Sequence, residues 1–430
     1  MSPPPRTDSS AASTAGPGLG LGDRSARQGL AGLPGSAPAA ARAVFRLLTK
    51  LRHGQLDLQL PDGQVVRFGD PQAGPGHRAA LRLRNWNVCG AALKSGDIGF
   101  AESYIAGDWT TPDLAALLRL FTANRDEIET MVYGSWWGSL LHRVKHLMNR
   151  NSRAGSKKNI HAHYDLGNSF YRLWLDETMS YSSAWFEGDP TRPMADAQRA
   201  KVRRALREAG VGAGSRVLEI GCGWGGLAEV ATQEFGAHVT GLTLSGEQLD
   251  FAQARLQAAG LNGQADLRFQ DYRDVPDGPF DAVVSIEMFE AVGRAYWGSY
   301  FRTVSDKLSA QGRACIQTIT IRDDLFERYV SGTDFIQQYI FPGGLLPSVS
   351  LFEAEAVKAG LVVESRLNFG ADYAETLRRW RAAFMAEGER VSRLGFDTRF
   401  VRIWEFYLAY CEAAFDTGNT DVVQFTLRKA

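Results

Sequence analysis

Between residues 215 and 320, short apolar runs alternate with segments whose apolar residues recur every three or four positions. The runs at 215–220, 238–244, 266–270, 280–286 and 313–320 read as strands, with helical spacing between them. A further helix opens at Pro193 and turns Val202, Ala205, Leu206 and Ala209 inward. Ser245-Gly246-Glu247-Gln248 has the Ser-x-x-Gln spacing of a capping box, so a helix starts there. Strands alternating with helices over ~120 residues predict an α/β domain with an open, mostly parallel sheet and helices on both faces. Beyond Thr320 the pattern reads as a long loop, a strand near 361–367, helices at about 372–388 and 397–416, and a last strand at 422–427. A final strand so distant from its partner predicts a helical insertion over one end of the sheet, where such sheets hold ligands.

The first third is different. Residues 1–40 are mostly Pro, Ala, Gly and Ser and predict a disordered tail. From 41 to 124 the pattern predicts a small mixed α+β domain. A hairpin runs through 55–60 and 64–68 around Pro61-Asp62-Gly63, another strand covers 79–83, and a helix follows Pro112 at 113–121. Residues 125–160 read as amphipathic linker helices. Trp136, Trp137, Leu140, Leu141, Val144 and Leu147 lie beside Arg143, Lys145, His146, Arg150, Arg153, Lys157 and Lys158. Such a stretch either meets anionic headgroups at a membrane surface or packs its aromatic stripe on the next domain.

Composition narrows the class. The 430 residues are 44% hydrophobic and 22% charged, enough for two or three domains with a sizeable core. Forty-eight basic residues balance 48 acidic ones, so no net field draws the chain to nucleic acid. Cys89, Cys222, Cys315 and Cys411 have no metal-ligand spacing and fit a reducing compartment. No apolar run approaches the ~20 residues of a membrane span, and no secretory signal is evident. These features predict a cytoplasmic chain, with no metal.

The sharpest motif is Val217-Leu218-Glu219-Ile220-Gly221-Cys222-Gly223-Trp224-Gly225-Gly226. Glycines after a strand let a ligand approach the backbone where a larger residue would collide. Glu219 precedes the first glycine and can reach a ligand ammonium. The spacing lacks the third glycine of a dinucleotide site and its acid ~20 residues on. This pattern points to S-adenosylmethionine rather than NAD or a bare strand-turn-helix. The second strand ends in Gly241-Leu242-Thr243-Leu244-Ser245 without an acid for the ribose, so Gln248 is the substitute. After the third strand, Tyr272 can cover the adenine. Asp271 either bonds its amino group or caps the turn.

Together these segments resemble the cyclopropane-fatty-acyl-phospholipid synthase family and its mycolic acid relatives. The likeness runs from about residue 85 to the C-terminus. It is carried by His163-Tyr164-Asp165-Leu166-Gly167-Asn168-Ser169-Phe170-Tyr171, Met179-Ser180-Tyr181-Ser182-Ser183-Ala184-Trp185-Phe186, the glycine turn, Glu287-Met288-Phe289-Glu290-Ala291-Val292-Gly293, Tyr339-Ile340-Phe341-Pro342-Gly343-Gly344 and Phe369-Gly370-Ala371-Asp372-Tyr373. The resemblance implies a Rossmann-like methyltransferase fold, with Tyr181, Ser182, Thr243 and Leu244 joining Glu219, Gly221, Gly223, Gly225 and Gln248 around the cofactor. It also implies a homodimer on the inner membrane face. The reaction implied is methyl transfer to a cis double bond of a phospholipid acyl chain. A carbocation then closes to a cyclopropane as a bound bicarbonate removes a proton.

Carried over, the bicarbonate cradle falls on Ser183, Glu290, Gln317, Ile319 and Tyr373, and a suggested nucleophile falls on Cys411. Ser183 and Gln317 stand where cysteine and histidine are common, and Ala291 replaces a frequent histidine. Glu287 either compensates as a base, holds Gln317, or is a solvated helix residue. The cation needs a dry, aromatic-lined pocket, with Tyr164, Phe170, Tyr181, Trp185, Phe186, Phe289, Tyr339 and Tyr373 as candidates. The altered cradle leaves two other readings open: a methyl- or methylene-branched product, and a lipid-binding protein without activity.

Overall fold

A computed structural model describes residues 33–128 and 166–430. The amphipathic reading of 125–160 therefore lies almost wholly outside the described residues, as do His163, Tyr164, Asp165 and the first 32 residues.

The N-terminal lobe begins earlier than Ala41: Ala37 is buried and α1 spans Ala39–Leu48. Strands β1 (Gln55–Gln59) and β2 (Val65–Gly69) form the expected hairpin, with Leu56 and Leu58 buried. β3 (Arg78–Leu83) pairs with β1 in parallel, and β4 (Trp109–Thr110) closes a four-stranded sheet ordered β2-β1-β3-β4. Helix α3 (Leu114–Ala123) starts where Asp113 accepts the Ala116 N–H. Between β3 and β4 stands α2 (Asn87–Ala106), which the apolar pattern did not announce. It kinks at Ser95 and Gly96, where Gly96 adopts φ +59°.

After α4 (Asn168–Tyr171) and α5 (Met194–Glu208), the second lobe is built on seven strands. Its first four strands alternate with helices: β5 (Arg216–Ile220), α6 (Gly226–Phe235), β6 (His238–Thr243), α7 (Gly246–Ala258), β7 (Ala265–Phe269) and β8 (Phe280–Ile286). Then come α8 (Trp297–Lys307) and β9 (Leu308–Ile321), which starts before the predicted Arg313. The sheet order is β10-β11-β9-β8-β5-β6-β7, where β10 is Leu361–Asn368 and β11 is Thr420–Lys429. The strands from β9 to β7 are parallel, and β11 runs antiparallel between β9 and β10. This is the predicted doubly wound sheet, with its last strand inserted from a distance.

The long loop expected after Thr320 instead carries α9 (Asp323–Ser331), α10 (Phe335–Tyr339) and α11 (Val349–Lys358). Even the five-residue α10 has a full capping box. Asp334 accepts the Gln337 N–H, and Gln337 accepts the Asp334 N–H. Helices α9 and α10 join α12 (Gly370–Ala386), α13 (Gly388–Arg393) and α14 (Thr398–Asp416) over the carboxyl ends of the strands, whereas α11 packs on the sheet face with Phe352 against Phe301 and Phe425.

Helix α14 also fastens the N-terminal lobe. Phe406 meets Phe335 at 4.8 Å and Phe100 at 6.5 Å between ring centres. Glu412, only 1% exposed, pairs with Arg119 of α3 and with Arg378 and Arg381 of α12. One hydrophobic core thus runs through the N-terminal lobe and the insertion. Among the described residues no helix is long and apolar enough to cross a membrane, and no cluster of His, Cys, Asp or Glu is arranged to hold a metal.

Candidate active site

The first cavity lies at the carboxyl ends of β5 and β6. Tyr181, Ser182, Glu219, Gly221, Gly223, Thr243, Leu244, Gln248 and Tyr272 all line it. The turn after Ile220 needs its glycines for different reasons. Gly223 has φ +51°, and a Cβ built there would meet nothing within 4 Å, so the space before it is open to a ligand. A Cβ on Gly225 would instead strike Ala252 of α7 at 2.9 Å. Gly225 does not line the cavity. It serves helix packing.

Glu219 is 3% exposed, and its Oε2 has no hydrogen-bond partner. Burial pushes its carboxyl up to about 8. A buried acid with an unused oxygen beside an open glycine turn fits the ammonium of S-adenosylmethionine. Only half of the expected capping box forms at α7. Ser245 accepts the Gln248 N–H at 3.3 Å, whereas the Gln248 side chain accepts from Thr243 Oγ1 at 3.1 Å. Gln248 is thereby held against the cavity with its amide nitrogen still a donor. Asp271 is turned away from the cavity. Its carboxylate accepts from Arg273 N, Nε and Nη2 at 3.0, 2.8 and 2.6 Å, which is the turn-capping alternative.

A second, apolar cavity opens beneath the insertion, and Tyr181, Glu287 and Ala291 line both cavities. Its wall holds Glu290, Ile319, Tyr373 and Cys411 from the sequence reading, and adds Tyr329, Phe341, Tyr407, Tyr410 and Phe415. Among the described aromatic candidates for the cation, Tyr181 and Tyr373 reach this space. Phe170, Phe186 and Phe289 are core residues, Trp185 lies against the core, and Tyr339 donates to Glu102. Burial pushes the Cys411 thiol far above its ordinary value, which suits a lining residue and not a nucleophile.

The cradle is where structure and expectation part. Glu287 follows β8 with φ +49° and projects into the junction of the cavities. Its Oε1 accepts from Ser183 N at 2.9 Å and Gln317 Nε2 at 2.7 Å, and its Oε2 accepts from Tyr373 OH at 2.7 Å. Three of the groups expected to hold bicarbonate therefore hold a carboxylate of the chain. Ser183 contributes its backbone, because its hydroxyl donates to the Ala184 carbonyl at 2.9 Å. The remaining two pair with each other: Glu290 Oε1 accepts from Ile319 N, and also from Thr318 Oγ1, which was not anticipated, at 2.9 Å. Most of the donors expected to hold bicarbonate are thus committed within the chain, and Glu290 Oε2 is the cradle oxygen left without a partner.

Burial and the neighbouring Glu287 push Glu290 up to about 8, so it carries a proton at neutral pH. Burial also raises Glu287, but Lys201, Tyr373, Ser183 and Gln317 oppose the rise. Lys201 was not anticipated. It is 1% exposed, donates to Ser182 Oγ at 2.5 Å, and is pushed down to about 8 by its burial. Its signal was a polar pair, Gln198 and Lys201, on the stripe that buries Val202, Ala205 and Leu206.

A seven-stranded doubly wound sheet, a glycine turn with a buried acid, and a second apolar cavity meeting the first define a class I S-adenosylmethionine-dependent methyltransferase for apolar acceptors. Residues 151–425 match the family model described as mycolic acid cyclopropane synthetase. The chain belongs to this family. It is 39% identical over 400 residues to the tuberculostearic acid methyltransferase UfaA1 of Mycobacterium tuberculosis, covering 91% of this chain and 92% of that protein. It is 34% identical over 348 residues to the cyclopropane-fatty-acyl-phospholipid synthase of Escherichia coli, covering 80% of this chain and 87% of the other. The solved mycolic acid cyclopropane synthase CmaA1, complexed with SAH and CTAB, superposes with a TM-score of 0.60 at 33% identity, covering 64% of this chain and 98% of that one. The relatives thus include both proteins named as cyclopropane synthases and proteins named as fatty acid methyltransferases.

Proposed function

We propose that the chain methylates the cis double bond of an unsaturated phospholipid acyl chain and that Glu287, rather than bicarbonate, removes the proton, giving a methylene-branched product that a separate hydride donor would reduce to a methyl branch. The observation that carries this reading is the Glu287 carboxylate held at the junction of the two cavities by Ser183, Gln317 and Tyr373.

S-Adenosylmethionine, when bound, supplies an electrophilic sulfonium methyl. The protein's task is alignment and exclusion of water. An alkene is a weak nucleophile, so the second cavity must press its π face toward the gap between Tyr181, Glu287 and Ala291. Tyr181 and Tyr407, whose hydroxyls meet at 2.8 Å, and Tyr373 present ring surface to the cation that forms on the acyl chain. Glu287 faces the same space and takes a proton from the new methyl group. Loss of that proton directly closes a ring. Loss after a 1,2-hydride shift leaves a methylene branch on the open chain, which needs reduction by a separate hydride donor to become a methyl branch. The branched outcome draws support from the altered cradle and from the likeness to a relative named as a methyltransferase over nine-tenths of the chain. The ring remains the second reading, supported by the Escherichia coli synthase.

A third cavity continues from the second toward the N-terminal lobe, sharing Tyr329, Asp334, Leu346, Tyr410, Ala414 and Thr420 with it and reaching Phe100, Phe121, Arg125 and Arg328. A long acyl chain would run through this space from a membrane surface. The test uses purified protein, methyl-labelled cofactor and vesicles of unsaturated phospholipid, with and without added bicarbonate, and mass spectrometry of the acyl chains. A branched product formed at a rate indifferent to bicarbonate supports the reading. A cyclopropane formed only with bicarbonate overturns it.

A further inference from the structure

Arg204 lies on α5, and its side chain is 15% exposed, outside both cavities. Its Nη1 donates to Gln424 Oε1 at 2.6 Å. Gln424 Nε2 donates onward to Gln317 Oε1 at 2.9 Å, and Gln317 Nε2 donates to Glu287 Oε1 at 2.7 Å. Gln424 on β11 and Gln317 on β9 are cross-strand partners, and both are fully buried.

The chemistry of the ends dictates which way each amide faces. A guanidinium has donors and no acceptor, so Gln424 must offer it oxygen. Gln424 Nε2 also donates to the Lys201 carbonyl at 3.2 Å, and a carbonyl only accepts, so the same orientation is required from a second side. Gln317 must then give its oxygen to Gln424 and its N–H to Glu287. Without Arg204, the 3.2 Å bond to the Lys201 carbonyl alone would hold Gln424 in this sense, and a concerted flip that breaks it would turn the Gln317 carbonyl toward the Glu287 carboxylate, oxygen against oxygen. We infer that Arg204 is a positioning residue, acting through Gln424 and Gln317 to keep a hydrogen-bond donor on Glu287. This inference rests on the reading of Glu287 as the base.

The surroundings of both ends are defined. Glu287 faces Lys201 from α5, Tyr373 from α12, the Ser183 N–H and the neighbouring Glu290. Arg204 is balanced by Glu208 at 3.5 Å and lies over the Trp185 ring at 5.9 Å.

The test follows the Glu287 carboxyl by carbon NMR in protein labelled at glutamate, the signal being assigned by its loss in Glu287→Gln, alongside the pH profile of kcat. In Arg204→Met the Glu287 midpoint should rise by about one unit, as expected when a carboxylate loses a donor. The acid limb of kcat should move with it while the KM for S-adenosylmethionine stays within about twofold. Arg204→Lys, which keeps a donor, should restore the native midpoint. Gln424→Glu pairs with Arg204 but cannot donate to Gln317 when ionised, so it should shift the midpoint as Arg204→Met does. It serves equally if the methionine variant fails to fold. A midpoint unmoved in the folded variants overturns the relay. Undiminished turnover in Glu287→Gln overturns the base reading instead, and the midpoint shift would still be read independently.

Discussion

Glu287 and Glu290 face one cavity but do not share donors: Glu287 draws on Ser183, Gln317 and Tyr373, and Glu290 on Thr318 and Ile319. The division makes them unequal. Glu290 keeps a spare, unpartnered Oε2 and a raised proton affinity, whereas Glu287 has donors on both oxygens and Lys201 nearby. Two buried carboxylates in contact with one space cannot both ionise cheaply, and the protonated one is Glu290.

Glu287→Gln is therefore expected to lower kcat by roughly 10²–10⁴, the range for losing a general base, with cofactor affinity nearly unchanged. Glu290→Gln replaces a neutral acid by a neutral amide whose oxygen still accepts from Thr318 and Ile319, so its loss should stay within about tenfold. Steady-state turnover of the two variants, with calorimetric titration of S-adenosylmethionine, checks the ranking. The reverse order would return the base to Glu290.

The sheet was legible because each strand is a short apolar run between turn residues, as at Phe280–Ile286, and each helix carries a stripe. Helix α2 was not, because it is apolar on most sides, carries Gly90, Gly96 and Gly99, and is broken at Ser95. Helices α9 and α10 were not, because both are short, and α10 is held by its capping box and by the contacts of Phe335 with Phe406 and Asp97. At the site, the cofactor turn could be read from local spacing alone. The Glu287 contacts could not: they join residues 104, 30 and 86 positions apart, brought together only by the sheet register and the insertion. Lys201 and Thr318 escaped for the same reason.

Gly223 separates two causes that the sequence merges. A Cβ there meets no neighbour within 4 Å, so the protein tolerates its volume, but φ +51° disfavours any side chain and β-branched ones most. Gly223→Ala should keep the fold and weaken cofactor binding. Gly223→Val should abolish it by filling the space that the methionine moiety needs. Calorimetry and thermal melting of both variants check this. Full cofactor affinity in the valine variant would remove the glycine turn from the binding site.

Stability should fall as alkalinity rises. Glu219 and Glu290 are both held near 8, against an ordinary 4.5. A folded state that holds its proton more tightly than the unfolded one is favoured fully below 4.5 and loses that advantage as pH climbs through 8. Denaturant midpoints without cofactor should decline across pH 5–8, and the Glu219→Gln and Glu290→Gln variants should each flatten the decline. A flat native profile would contradict the protonated assignment.

The clasp between lobes is measurable through Glu412. Its carboxylate is 1% exposed and surrounded by Arg119, Arg378 and Arg381, so truncation leaves three cations with only Asp416 and Glu375 beside them to offset their charge. The arginines are 21–42% exposed, and water will recover part of the cost. Glu412→Ala should lose about 2–3 kcal/mol, somewhat below the ~3–5 kcal/mol for breaking a fully buried pair. Arg119→Ala, which removes only the N-terminal lobe's arm, should cost less.

Cofactor binding should release a proton through Glu219. The acid is mostly protonated at pH 7 because burial holds it near 8, and an arriving ammonium favours its carboxylate. Titrating S-adenosylmethionine at pH 7 in two buffers of different ionisation enthalpy should therefore report release approaching about one proton per site. Glu219→Gln should bind about tenfold or more weakly, the cost of one hydrogen bond to a charged group, and should release none through this route. Native release with unchanged affinity in that variant would place the ammonium elsewhere in the first cavity.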